Sequence, residues 1–169
     1  DNFRLTDQQG ASHELYYLSD AKAVVLLAQG SDCKDSQAAA AMLDGLRAKY
    51  EAQGVTFLQI NSNLPGSAGG VSQPTVATHA TKGIPVLVDE TQLIGESLGL
   101  KRNGEVLIAN PQGWKVTYRG GIGAVPTVLD SMLAGGAVKA AASEVTGCPI
   151  AMPERDKKQA HAQISYEKT

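Results

Sequence analysis

Apolar residues along this chain fall into short runs separated by stretches of helical spacing, never into one long block. "FRLTDQQGASHEL" alternates apolar and polar positions on either side of a glycine-containing turn. It predicts a short hairpin with arms near Phe3–Leu5 and His13–Leu15. "AVVLLA" (Ala23–Ala28) is continuously apolar, as a strand buried on both faces requires. From Ser36 to Gln53 the period changes. Ala39, Leu43, Leu46 and Tyr50 recur at helical spacing, Asp44, Arg47, Lys49 and Glu51 take other faces, and Gly54 is a natural stop.

"VTFLQIN" (Val55–Asn61) predicts the next core strand. The Gly-, Ser- and Pro-rich "SNLPGSAGGVSQPT" reads as a loop, with a short helix over 75–82. "IPVLVD" (Ile84–Asp89) predicts a strand and "ETQLIGESLGL" a short helix. "EVLIAN" (Glu105–Asn110) and "WKVTYRG" flank Pro111-Gln112-Gly113 as a second hairpin, and Val125–Gly136 predicts the last helix. Trp114 and Tyr118, four apart, are expected on one face of their strand, as packing residues. No packing pattern continues past Met152. Alternating β and α elements predict an α/β fold, a central mixed sheet with helices on both faces, with an N-terminal β-hairpin and a C-terminal tail.

Composition narrows the function classes. The 169 residues are 43% apolar and 19% charged with a net charge of −2, which suits one globular domain with a proper core. No basic face is implied, so nucleic acid is not an expected partner. No apolar run reaches the ~20 residues of a membrane span. The polar start "DNFRLTDQQG", without Met, is what a processed N-terminus looks like; an excised domain would look the same.

The chemistry centres on "QGSDCKDS" (29–36), which follows the first core strand and opens the long helix. It holds Cys33, and the second cysteine, Cys148, lies 115 positions on. Without a CxxC motif a structural zinc site is not expected, leaving one long-range disulfide or two independent thiols. A disulfide would favour an oxidising compartment, periplasmic or secreted. At a helix N-terminus Cys33 is favoured as a thiolate, with a small contribution from Lys34, but Asp32 and Asp35 oppose this. Four readings stay open: Cys33 as candidate nucleophile, a structural Cys33–Cys148 bond, Cys148 as a distant resolving thiol, or two separate thiols. His13, His79 and His161 are scattered, with His79 nearest to the cysteine loop in expectation; metal handling through Cys33 and a histidine is a minor reading, and no cofactor is expected. "GGIG" (120–123) lacks the spacing of a dinucleotide fingerprint and reads as a loop.

The element order, with "VVLLAQGSDC" as strand plus cysteine loop, "GVTFLQINSN" as second core strand, "IPVLVDETQLIGESLGL" before the closing hairpin and "EVLIANPQGWKVTYRGGI" as that hairpin, resembles the thioredoxin-like fold in its redoxin (AhpC/TSA-like) branch. The late "LDSMLAGGAV…TGCPI" resembles the end of bacterial redoxin-domain proteins with a late Gly-Cys. The resemblance implies a three-layer sandwich with a redoxin domain over residues 1–135 and a C-terminal extension, 136–169, carrying Cys148. It also implies a thiol–disulfide oxidoreductase or peroxiredoxin-like protein acting on a protein partner or thiol/disulfide substrate. Three positions depart from the family pattern. Ser36 stands where Cys-x-x-Cys has its second thiol. Gly30 and Leu26 stand where a peroxiredoxin has Thr and Pro. Gly104 stands where the family has the proline that presents substrate backbone to the thiol. These departures support the alternative of a non-catalytic binding or assembly module stapled by Cys33–Cys148.

Overall fold

In a computed structural model of the chain, residues 2–7, 9–30, 33–64, 84–136, 138, 142–153, 155 and 157 are described. The expected helix over 75–82, His79 and His161 lie outside them. The apolar run Ala23–Ala28 forms strand β3, buried at all six positions. It pairs in parallel with β4 (Val55–Asn61), which pairs in parallel with β5 (Val86–Val88). On its other side β3 pairs antiparallel with β6 (Val106–Asn110), and β6 with β7 (Lys115–Gly120). The sheet order is β5-β4-β3-β6-β7, and β1 (Arg4–Thr6) with β2 (Ser12–Glu14) forms a separate hairpin.

Alternation along β3 divides the core in two. Ala23, Val25 and Leu27 face α1 (Lys34–Tyr50) and α3 (Val125–Leu133), meeting Ala39, Ala40 and Leu43 of one helix and Val128 and Leu129 of the other. Each fully buried Val or Leu side chain here stabilises by about 1.5–3 kcal/mol. Tyr50 closes this layer: fully buried, its hydroxyl donates to Asp130 Oδ1 at 2.8 Å and ties α1 to α3. Burial, and then the Asp130 carboxylate, raise the Tyr50 hydroxyl above its usual pKa.

Val24, Leu26 and Ala28 face the other way, toward the hairpin residue Phe3, α2 (Leu93–Leu98) and Leu100. Ile150 and Met152 join this second layer, at 3% and 1% exposure. The tail is thus packed against the domain at Ile150 and Met152, where the apolar pattern of the sequence stops, and Arg155 Nη1 donates to the Leu100 carbonyl at 2.7 Å.

One packing expectation is corrected. Trp114 and Tyr118 lie on opposite faces: Trp114 packs with the second layer and stacks on Tyr16, whereas Tyr118 is buried in the first. The cause is a bulge. Ile108 pairs with Tyr118 but Ala109 with Val116, so Thr117 is extra and the alternation slips by one. Trp114 itself precedes β7, in the turn, with φ +53°.

Candidate active site

Cys33 is the residue that caps the amino end of α1, a 17-residue helix that begins at Lys34. The loop from β3 delivers it there. Cys33 N–H donates to the Gly30 carbonyl (3.3 Å), and its own carbonyl accepts from Gln37 N–H (2.9 Å), the first bond of the helix. Ser36 does not act as a surrogate for a second thiol. It is fully buried, and its Oγ accepts the Gly30 N–H at 2.9 Å, fixing the cysteine loop instead.

Cys33 is bonded to Cys148, with the two Cα atoms 5.9 Å apart across 115 residues. Cys33 is 3% exposed and Cys148 is exposed, so the bond has a buried and an open partner. Cys148 N–H points at Cys33 Sγ from 3.0 Å. The partial positive charge at the amino end of α1 lies on the same side and favours a Cys33 thiolate.

Backbone pairing holds the segment carrying Cys148. Asn103 N–H donates to the Cys148 carbonyl (2.8 Å) and Ile150 N–H to the Lys101 carbonyl (2.9 Å), with Arg102 and Pro149 as the antiparallel pair between them. Pro149 fits there because the amide of a residue at that pair points away from the partner strand. The Arg102 guanidinium donates to the Gly147 carbonyl at 3.0 Å. Further back, Gly121 N–H donates to the Ser143 carbonyl (2.9 Å), and the Tyr118 hydroxyl lies 3.2 Å from Ser143 Oγ.

Asn103 organises the floor of the site. Asn63 Nδ2 donates to its Oδ1 (3.1 Å) and Asn103 Nδ2 donates back to Asn63 Oδ1 (3.2 Å). Asn63 also reaches the Gln29 carbonyl, and Asn61 Nδ2 donates to Gln29 Oε1 at 3.1 Å. All four are buried, so the floor consists of neutral, mutually satisfied amides. Two glycines are dictated by this cluster. A Cβ at Gly30 would collide with the Asn103 side chain, and one at Gly147 would fall inside the Asn103 carbonyl. The side chain that a peroxiredoxin carries three residues before its cysteine therefore has no room here.

The structure brings together Cys33 and Cys148, the two site residues expected from sequence. His13 lies elsewhere, on the N-terminal hairpin, with Nε2 2.8 Å from Asp7 Oδ2. Among the described residues no group of three or more His, Cys, Asp and Glu side chains could hold a metal ion. Sequence reasoning missed Asn103, Asn63, Gln29, Arg102 and the steric role of Gly147. The one signal available was the glycine directly before the late cysteine.

Comparison with solved structures places the fold. The chain is similar to a hypothetical protein from Sinorhizobium meliloti 1021, at TM-score 0.79 and 19% identity over 89% of this chain and 90% of that one. It is similar to an uncharacterized conserved protein from Geobacillus kaustophilus, at 0.77 and 24% over 90% of each. A third likeness is to the pneumococcal exposed lipoprotein thioredoxin from Streptococcus pneumoniae strain TIGR4, at 0.65 and 21% over 78% of this chain and 99% of that one. At these identities the likeness speaks for the thioredoxin-like fold. Among curated proteins none matches the chain. The model of the AhpC/TSA family matches residues 1–123, which take in both hairpins, the five-stranded sheet and the Cys33 loop, and the chain therefore belongs to the AhpC/TSA family as a redoxin domain of thioredoxin-like fold.

Proposed function

We propose that this chain is a thiol–disulfide oxidoreductase whose redox couple is Cys33–Cys148, with residues 1–135 as the redoxin domain and 136–169 as an extension that brings the second thiol. The observation that carries this reading is the position of the disulfide: one sulfur at the amino end of α1, the other on a segment held by backbone pairing to residues 101–103. In the reduced protein, Cys33 thiolate attacks one sulfur of a substrate disulfide. A Cys33–substrate bond forms, and the other substrate sulfur leaves as a thiolate that takes up a proton. Cys148 thiolate then attacks the Cys33 sulfur, re-forming Cys33–Cys148 and releasing the second substrate thiolate. The substrate gains two electrons and the protein loses them; the reverse order oxidises a dithiol. Cys33 suits the first role because the helix end stabilises its thiolate. Cys148 suits the second because its segment can return the thiol over a long loop. Disulfide exchange is favoured over peroxide reduction because Asn103 excludes a side chain at position 30.

A disulfide of this kind, and the absence among the described residues of a helix long and apolar enough to cross a membrane, fit work in an oxidising compartment, periplasmic or secreted, on protein or small thiol partners. A second reading is a binding or assembly module with a purely structural staple; Ser36 and Gly104 at the two family positions favour it.

The test uses the full chain, with insulin as disulfide substrate and a dithiol as electron donor. Cys33→Ser is expected to abolish turnover. Cys148→Ser, reduced beforehand and freed of the dithiol, is expected to stop after one step and accumulate a Cys33–substrate disulfide visible by intact mass. Wild-type rates in Cys33→Ser would end the oxidoreductase reading.

A further inference from the structure

The segment 147–152 sits in its place as a bound peptide would. It runs extended and antiparallel to residues 101–103, with two backbone hydrogen bonds of 2.8 and 2.9 Å. Gly147 lies against the Asn103 carbonyl in a slot with no room for a Cβ. Ile150 and Met152, two apart and so on one face of an extended chain, fill apolar seats with Leu100 and other second-layer residues. Gly95 of α2 lies against both Ser62 and Met152: a Cβ there would collide with the Ser62 side chain at 2.5 Å and meet Met152 Cε at 3.0 Å. Gln92 Nε2 donates to the Ala151 carbonyl at 2.6 Å. Gln92 is itself buried and held at φ +62°. Slot, strand edge, two seats and amide hook all belong to the domain, and they line up along the segment from the residue bonded to Cys33.

We propose that residues 101–104, Gln92 and the seats of Ile150 and Met152 form a peptide site that the protein's own tail occupies while Cys33–Cys148 is intact. Once that bond is reduced, the site takes an extended segment of another polypeptide carrying Gly-Cys, followed by apolar residues two and four places after the cysteine. This rests on the redox reading above and names its substrate class. The ligand adds a strand to the Lys101–Asn103 edge, so affinity comes from the main chain and selection from the pockets. Selection at the residue before the cysteine is the sharpest element, because any side chain there meets backbone rather than a movable group. The cysteine of that segment takes the place of Cys148 and forms the mixed disulfide with Cys33. The tail must displace the segment to complete the cycle, so tail and substrate compete for one site.

The experiment uses the full chain as Cys148→Ser and two synthetic peptides. One has the sequence of residues 143–152; the other has alanine in place of its glycine. Each is activated as a mixed disulfide with thionitrobenzoate. Cys33 thiolate attacks the peptide sulfur, and thionitrobenzoate leaves with the electron pair and is read by its colour. The glycine peptide is expected to react at least tenfold faster. The tethered tail competes equally with both peptides and leaves the ratio unchanged. In the variant that also carries Gly147→Ala, the tail is expelled by the Asn103 carbonyl, and the glycine peptide is expected to react severalfold faster still. Equal rates for the two peptides, or no acceleration by Gly147→Ala, would overturn the inference while leaving Cys33 a reactive thiol. A Cys33 that reacts with neither peptide nor with free dithiobis-nitrobenzoate would overturn the oxidoreductase reading with it.

Discussion

Gly104→Pro is expected to destabilise the protein by about 3 kcal/mol or more, although proline is what the family carries at this position. Gly104 has φ +97°, a left-handed conformation, whereas the proline ring holds φ near −65°. Its N–H donates to the Ala28 carbonyl at 2.6 Å, joining the end of β3 to the approach to β6. Proline lacks that donor and would leave a buried carbonyl unpaired, in itself a cost of about 1–3 kcal/mol. Gly104→Ala keeps the N–H and meets only ordinary contacts with Gly147, the nearest at 3.6 Å, so it carries the backbone penalty alone, about 1–2 kcal/mol. Urea denaturation should rank wild type above Gly104→Ala above Gly104→Pro. A proline variant as stable as wild type would contradict this account of the loop. The departure at Gly104 is therefore a different backbone solution, built to receive Gly147 close by.

The double variant Cys33→Ala/Cys148→Ala is expected to lose about 2–4 kcal/mol, the usual range for a native disulfide. A bond closing 115 residues has a chain-entropy ceiling of about 5 kcal/mol. At roughly 2–4 °C per kcal/mol for a chain of this size, Tm should fall on the order of 10 °C. The loss should fall short of the ceiling because the two backbone bonds to 101–103 and the buried Ile150 and Met152 still hold the tail without the sulfurs. Calorimetry of oxidised wild type, reduced wild type and the double variant tests this: the last two should melt together. An unchanged Tm on reduction would mean that the bond contributes nothing to the fold.

The frame of the molecule was legible wherever local pattern decides. The runs at Ala23–Ala28 and Val55–Asn61 are too continuously apolar for anything but central strands, and both match to the residue. The helix after Cys33 followed from its spacing, although it begins two residues earlier than Ser36, directly after the cysteine. What local pattern cannot carry is pairing at a distance. The contacts of Gly147 and Ile150 with 101–103 join segments more than forty residues apart, and nothing in "TGCPIAM" marks it as a docked strand. The amide floor was hidden for the same reason: Gln29, Asn61, Asn63 and Asn103 each read as an ordinary turn or strand-end residue, and only the fold converges them. The bulge at Thr117 defeated the face assignment of Trp114 and Tyr118, since one extra residue inverts all alternation beyond it.

The central claim is that Cys33–Cys148 is a working couple. Stability conferred by the bond and its reduction potential move together, 30 mV for each ~1.4 kcal/mol in a two-electron exchange. The most direct measurement is therefore the potential itself, by equilibrating the full chain in graded dithiol buffers and counting free thiols at each. A value above about −300 mV is expected of a couple that trades electrons with other thiols. A value well below that would identify a structural bond and contradict the account.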